Sequence, residues 1–354
     1  MNNIQKLMDF IPDNKTCAVV TDEINRRYFT GFKSSDGTVV CFKDKAYFII
    51  DFRYYEKAAE CVKDCEVILQ DETTEQMKKL FLRHGILTAM IEADTTTVSR
   101  LRKFEKDFPD IKTDSSDKLS KAITYMRLLK SAEEIDSIIK AQRIAEEAYQ
   151  YILENIRPGM TEREVALMLD TRMKLLGAED ISFETIVLSG KNASLPHGVP
   201  GDDKVGNGFV LMDFGAVVGG YHSDMTRTFY MGSPSEEEKR AYQIVLEAQL
   251  MALDSIKRGM SAKDLDAVAR NHIDGNGYKG AFGHSLGHGV GMEIHEAPRI
   301  SAKSDTVLEK GMVITIEPGI YLPGKFGIRI EDMVAITDDL YINLTLSSKE
   351  LITL

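Results

Sequence analysis

The chain has 354 residues and a formal net charge of −11, from 55 acidic and 44 basic side chains. Its 43% hydrophobic fraction is ordinary for a globular protein, and its length suggests two domains of ~150 residues each. An acidic balance without a basic run argues against nucleic acid as the main partner, because phosphate binding needs clustered lysine and arginine.

The sequence also predicts a cytoplasmic protein without a membrane partner. No stretch approaches the ~20 apolar residues of a membrane span, and residues 1–15 lack the apolar core of a secretory signal. The four cysteines are too few for a disulfide framework and fit a reducing compartment.

The first third of the chain predicts an α/β domain, because short apolar runs typical of strands alternate with helical segments. The predicted strands are 17–20, 37–42, 46–50, 66–69 and 87–92, and two predicted helices are 53–61 and 73–85. A polar stretch places the boundary near residues 115–125. We therefore expect an N-terminal domain over 1–120 and a second domain over 121–354.

The second domain is predicted to contain an internal repeat. It begins with a long amphipathic helix over Ser131–Ile156. Three landmarks then occur twice in the same order: a capped helix start, a loop with a histidine, and a strand ending in an acidic residue. They lie at 158–161, 194–199 and 210–215 in the first copy, and at 258–261, 285–290 and 314–319 in the second. We expect the two copies to pack around a pseudo-twofold axis.

Each copy predicts a hairpin that carries carboxylates. In the first copy a Gly219-Gly220 turn lets the strands fold back, which brings Asp213 and Asp224 near each other. Asp213 shares a strand face with Phe209 and Leu211. A carboxylate on a face that is otherwise apolar needs a partner, because an isolated buried charge is very costly.

In the second copy the turn is at Pro323-Gly324. Folding there brings Glu317 and Glu331 opposite each other, with Arg329 on the same face as Glu331. The pseudo-twofold axis would place all four carboxylates in one region, where they repel strongly in a low dielectric. Divalent cations are the natural compensation.

His288, in a glycine-rich stretch, is the candidate fifth ligand. Four carboxylates and an imidazole suit manganese, cobalt, iron or zinc. Two ions ~3.5–4 Å apart and bridged by carboxylates would balance the charge and form a hydrolytic site.

These segments resemble the "pita-bread" metallopeptidases, the family of methionine aminopeptidase, prolidase and aminopeptidase P, to which creatinase is related. The resemblance covers roughly residues 125–354 and includes all five ligand positions. The matching motifs are MDFGA, SDMTRTF, GHSLGHGVG, IEPGIY and RIEDM. Residues 1–115 look like the N-terminal domain of the prolidase and aminopeptidase P branch. The expected fold is therefore α/β (α+β), with a creatinase-type domain followed by a pita-bread catalytic domain.

The resemblance implies a dinuclear site. Asp213 would bind one metal, and His288 and Glu317 the other. Asp224 and Glu331 would bridge both. The expected cofactors are two divalent ions, manganese first and cobalt, zinc or iron as alternatives.

The resemblance also implies roles for the groups around the metals. His197 and His295 would contact the substrate and stabilise the tetrahedral intermediate. From the chemistry of the site we expect Glu317 to take the proton of the water and pass it to the leaving nitrogen. His284 and Arg329 would shape the substrate pocket. The expected substrates are proline-containing peptides, and the expected assembly is a homodimer.

Several alternatives stay open at this stage. An Xaa-Pro aminopeptidase is favoured over an Xaa-Pro dipeptidase, and a catalytically inactive binding module of the same fold is the rival from another class. Asp213–Gly215 spells the kinase DFG, and Gly283–Gly287 spells the GxSxG of serine hydrolases, but neither has its companion motifs. His295–Arg299 misses the zinc-binding HExxH by its last residue.

Overall fold

The structure is a computed structural model that describes residues 2–354. The chain divides after Arg127 into two compact units. Among the described residues no helix is both long and apolar enough to span a bilayer.

The first unit contains one six-stranded sheet with helices. Its strands are β1 (Thr16–Val20), β2 (Thr38–Cys41), β3 (Ala46–Ile50), β4 (Glu66–Leu69), β5 (Thr88–Ile91) and β6 (Lys112–Asp114). Its helices are α1 (Asn3–Phe10), α2 (Glu23–Thr30), α3 (Phe52–Cys61), α4 (Thr73–His84), α5 (Val98–Asp107) and α6 (Lys118–Leu128). The five predicted strands and both predicted helices are confirmed.

The sheet is mixed and has the order β4-β3-β2-β1-β5-β6. Strand β1 pairs antiparallel with β2 and parallel with β5. Strands β1 and β3 are buried along their whole length. This burial explains why their sequences are continuously apolar, since both faces of such strands are covered.

The second unit contains four long helices. They are α7 (Ala132–Asn155), α8 (Glu162–Leu175), α9 (Glu236–Ser255) and α10 (Ala262–Ile273). Ser131 and Thr161 form capping boxes at the starts of α7 and α8, and Ser261 caps α10 through the Asp264 amide. The matched helix starts predicted by the repeat are thus confirmed. The repeat also includes α7 and α9, which precede α8 and α10 in the two copies.

The strands of this unit form two main sheets and two smaller ones. The strands are β7 (Asp180–Ile181), β8 (Ile186–Ser189), β9 (Gly208–Phe214), β10 (Ala216–Val218), β11 (Tyr221–His222), β12 (Met225–Met231), β13 (Gly287–Gly289), β14 (Glu296–Ile300), β15 (Val313–Ile316), β16 (Gly319–Leu322), β17 (Phe326–Arg329), β18 (Asp332–Ile336) and β19 (Tyr341–Asn343). The main sheets have the orders β12-β9-β8 and β14-β13-β15-β18-β19.

Both predicted hairpins are present. In the first, β9 pairs with β12 so that Asp213 faces Thr226, and the turn contains Gly219 and Gly220 at φ of 60° and 81°. Such left-handed backbone favours glycine because it has no Cβ. Asp224 lies just before β12 begins and is diagonal to Asp213.

In the second hairpin β15 pairs with β18 through Ile316 and Asp332, and β16 pairs with β17 through Gly319 and Arg329. Glu317 and Glu331 lie between these two pairings at the same register, so they are opposite each other. The hairpins of the two copies also meet directly, because the Glu331 amide donates to the Thr226 carbonyl at 3.1 Å.

Candidate metal centre

The predicted site residues converge on one cleft within the second unit. A cavity of about 520 Å³ is lined by seven of the nine: His197, Asp213, His284, His288, His295, Glu317 and Arg329. The other two are buried carboxylates, Asp224 at 4% exposure and Glu331 at 1%. Their ligand atoms and one of His288 all lie within 4.8 Å of one another. The structure therefore brings all nine residues together around one cleft.

The imidazole of His288 points its Nε2 atom at the carboxylates. Its Nδ1 lies 3.0 Å from the Gly289 carbonyl, which only accepts, so Nδ1 carries the proton of the neutral ring. Its Nε2 is then a lone-pair donor, 3.4 Å from Asp224 Oδ2 and 3.5 Å from Glu317 Oε1. A histidine held through its other nitrogen is the usual arrangement of a metal ligand.

Two buried carboxylate oxygens of the cluster lack a hydrogen-bond donor within the described part of the chain. Glu331 accepts from Thr226 Oγ1 at 2.7 Å through Oε2, and Asp213 accepts from Arg329 Nη2 at 2.6 Å through Oδ2. The second oxygen of each, Glu331 Oε1 and Asp213 Oδ1, is buried and has no hydrogen-bond donor among residues 2–354. Buried polar atoms are almost always satisfied. Divalent cations would satisfy both, so the donor set fits the expected metal ions.

The pKa shifts of the carboxyl groups also fit a site for divalent cations. Burial raises the pKa of both Asp224 and Glu331 well above the ordinary values, and the neighbouring carboxylates raise it further. Burial also raises the pKa of Glu317, although His288 and Arg329 oppose this shift. The charged carboxylates are thus unfavourable without a compensating positive charge, which bound cations would supply.

Arg329 supports the site from within the protein. Burial alone would lower its pKa, but Tyr321, Asp213 and Glu317 raise it well above the ordinary value, so the guanidinium stays charged. Its Nε donates to Thr226 Oγ1 at 2.9 Å and its Nη1 to the Tyr321 hydroxyl at 2.7 Å. These bonds fix the group that holds Asp213.

Two other histidines line the cleft as neutral rings. Burial and the charge of Arg329 lower the pKa of His284 to about 3. His284 Nε2 lies 2.9 Å from the Tyr321 hydroxyl. The ring of His295 packs against that of His288, with centroids 4.4 Å apart, and its pKa is lowered by burial and then by His288. His197 lies across the cavity in the loop after Gly190–Ser194.

Several residues that hold the ligands were not predicted from the sequence. Thr226 contacts Glu331, and Thr315 donates to Glu317 Oε1 at 3.2 Å. Both threonines lie two residues from a ligand along a strand, so the period of two could have placed them on the ligand face. No local signal identifies Tyr321 or the cleft residue Arg299.

The comparisons with known proteins agree with this geometry. Residues 136–338 match the model of metallopeptidase family M24, and residues 4–129 match that of the creatinase/prolidase N-terminal domain. The chain belongs to metallopeptidase family M24. It is therefore a metal-dependent peptidase, and the family and fold class expected from the sequence are confirmed.

Relatives within M24 cover almost the whole chain. An Xaa-Pro dipeptidase of Pyrococcus furiosus is 41% identical over 357 residues, which is 99% of each protein. Among solved structures, an Xaa-Pro dipeptidase from Bacillus anthracis superimposes with a TM-score of 0.93 at 39% identity, covering 99% of both chains. An X-Pro aminopeptidase from Thermotoga maritima MSB8 gives a TM-score of 0.93 at 36% identity, covering 99% of this chain and 100% of that one.

Proposed function

We propose that this M24 peptidase is an Xaa-Pro aminopeptidase, which removes an N-terminal residue that precedes proline. The observation that carries the proposal is the convergence of four carboxylates and His288 on one cleft, with two buried carboxylate oxygens lacking a donor. The named activities of the relatives supply the preference for proline.

The five side chains divide between two metal sites in this proposal. Asp213 would bind one ion, His288 and Glu317 the other, and Asp224 and Glu331 both. We propose manganese as the native metal, with cobalt, zinc and iron as alternatives that the same ligands accept. When bound, the ions supply Lewis acidity and lower the pKa of water.

The protein's own groups bind the peptide and move the proton. Glu317 would accept a proton and return it to the leaving nitrogen, a task suited to a carboxylate whose pKa burial has raised. His295 is uncharged at neutral pH because its pKa is lowered, and it would donate N–H to the developing oxyanion together with His197. His284 and Arg329 would shape the pocket behind the reacting centre.

A specific observation favours the dipeptidase alternative. Arg299 lines the cleft, faces His288 across β13 and β14, and donates from Nε to Ser285 Oγ at 2.8 Å. A fixed cation at this position matches the free carboxylate of an Xaa-Pro dipeptide. The same cation has no such partner when the peptide continues beyond proline.

One comparison distinguishes the two activities. The enzyme loaded with manganese or cobalt is assayed on Ala-Pro, Ala-Pro-Ala and Ala-Pro amide. An aminopeptidase releases alanine from Ala-Pro-Ala, whereas a dipeptidase cleaves Ala-Pro alone and loses this preference in Arg299→Gln. Failure to cleave any of the three, with metal bound, contradicts the proposed function.

We further propose a cytoplasmic homodimer whose domains are residues 1–120 and 121–354. Homodimers are the commonest oligomers of soluble proteins. Light scattering coupled to gel filtration tests the dimer, and limited proteolysis with mass spectrometry tests the boundary. A monomeric mass at micromolar concentration would contradict the assembly.

A further inference from the structure

The segment His295–Arg299, which comes close to the HExxH motif, lies at a strand and not on a helix. Residues Glu296–Ile300 form β14, whereas HExxH needs two histidines on one helix face. Glu296 is directly next to His295, and its carboxylate forms a buried ion pair with Lys130 at 3.0 Å. The segment His295–Arg299 therefore does not act as a zinc-binding HExxH motif in this protein.

Lys130 is buried and contacts Glu296, which lines the cleft. It lies between α6 and α7, and its side chain is only 1% exposed. Its amide donates to the Gly311 carbonyl at 2.8 Å, and its Nζ also lies 3.4 Å from the Leu128 carbonyl. Burying an ammonium and a carboxylate together is costly, so such a pair is weak evidence for stability alone. We therefore consider that the ion pair holds neighbouring residues in position.

Glu296 connects this cation to the turn that carries His295. Its side chain is 5% exposed, and Oε1 accepts from the Glu293 amide at 3.2 Å. A Cβ built on Gly291 would lie 2.3 Å from Glu296 Oε2, so only glycine leaves room for the carboxylate there. The Gly291 amide in turn donates to the Glu293 carbonyl at 3.1 Å. The carboxylate thus packs directly onto the backbone of residues 291–295.

We propose that Lys130 and Glu296 are positioning residues, whose ion pair fixes the 291–295 turn and so places the His295 imidazole in the cleft. His295 has its ring 4.4 Å from that of the ligand His288, so a small movement of the turn changes its distance from the reacting centre. The inference rests on the role of His295 in the proposed function. Neither Lys130 nor Glu296 is a metal ligand.

The test compares Lys130→Met and Glu296→Gln with Asp305→Asn, which removes an exposed carboxylate from the segment after β14. In the manganese enzyme we expect kcat on the substrate it cleaves best to fall by about tenfold or more in the first two variants, since misplacement of a reacting group is costly. Bound manganese per chain should stay at the wild-type value, and Asp305→Asn should keep the wild-type kcat. In the metal-free protein, where no paramagnetic ion broadens the signals, the imidazole proton resonances assigned to His295 by their loss in His295→Ala should shift only in the first two.

A second background separates positioning from general destabilisation. In the His295→Ala background, adding Lys130→Met should lower kcat by less than about twofold. The reason is that the imidazole, which the Lys130–Glu296 ion pair positions in the wild type, is already absent. An equal loss in both backgrounds, a loss of bound manganese, or unshifted His295 resonances would overturn the proposal. If Lys130→Met does not fold, Glu296→Gln and Lys130→Arg provide the same comparison. A wild type that cleaves no Xaa-Pro substrate contradicts the proposed function, and the resonance shifts then still decide this inference.

Discussion

Replacement of Thr226, compared with that of its strand neighbour Thr228, separates metal positioning from fold stability. It is fully buried, donates to Glu331 Oε2 at 2.7 Å and accepts from Arg329 Nε at 2.9 Å. Thr226→Val keeps the shape but removes both bonds to ionisable groups. At ~1.5 kcal/mol for each such bond, the metal-free protein should lose about 3 kcal/mol of unfolding free energy.

The same substitution frees the Glu331 carboxylate to rotate. Groups that orient a ligand typically contribute about 10–100-fold to metal affinity, so we expect manganese to bind Thr226→Val more weakly by that factor. Isothermal titration calorimetry on the chelator-stripped protein measures the affinity, and urea unfolding measures the stability.

The chain contains a matched control on the same strand. Thr228 is also buried and also makes two hydrogen bonds, but both join it to the Arg329 backbone, at 2.9 and 3.2 Å. Thr228→Val should lower the unfolding free energy while leaving manganese affinity near that of the wild type. Equal loss of affinity in the two variants, or none in Thr226→Val, would refute the assignment of Thr226 to ligand positioning.

Three further predictions concern the ligands and the strand that carries His288. Glu317→Ala should abolish turnover of Xaa-Pro peptides while the circular dichroism spectrum is unchanged, and retained turnover would remove Glu317 from the proton transfer. Because burial raises the pKa of Asp224 and Glu331, the folded metal-free protein binds more protons than the unfolded chain above their ordinary pKa values. The contribution of these two carboxyl groups to its stability is therefore greatest at low pH and is lost as pH rises through their folded pKa values. Metal displaces these protons, so calorimetry in buffers of different ionisation enthalpy should show proton release and an affinity that rises with pH; a pH-independent affinity would contradict this. A Cβ on Gly287 would lie 1.9 Å from the Thr315 carbonyl, so Gly287→Ala should separate β13 from β15, lower the melting temperature and weaken metal binding through His288. Unchanged melting would show that the strands can shift at little cost.

The carboxylate pairs could be predicted from sequence because hairpin register follows from local rules. A Gly-Gly turn and strand periodicity define which residues face each other, and the structure keeps Glu317 opposite Glu331 through two consecutive pairings. The packing of β9 shows the same alternation of faces, since Leu211 lies in a different hydrophobic cluster from its neighbours Val210 and Met212.

The supporting contacts could not be predicted in this way. Lys130 and Glu296 are 166 residues apart, and no periodicity joins them. Arg227 donates five hydrogen bonds, one to the carbonyl of the adjacent Thr226 and four to distant partners that include the Glu331 carbonyl, Asp332 and the carbonyl of Ser347. Such contacts depend on tertiary packing, which the sequence pattern of one element does not contain.

The two copies of the repeat contribute unequally to the site, which bears on the ancestry of the enzyme. One copy supplies Asp213 and Asp224, and the other supplies His288, Glu317 and Glu331. A half-length ancestor with a single hairpin could enclose cations only by associating with a second molecule of itself. In the present chain the two copies are covalently joined, so both carboxylate pairs meet within one molecule.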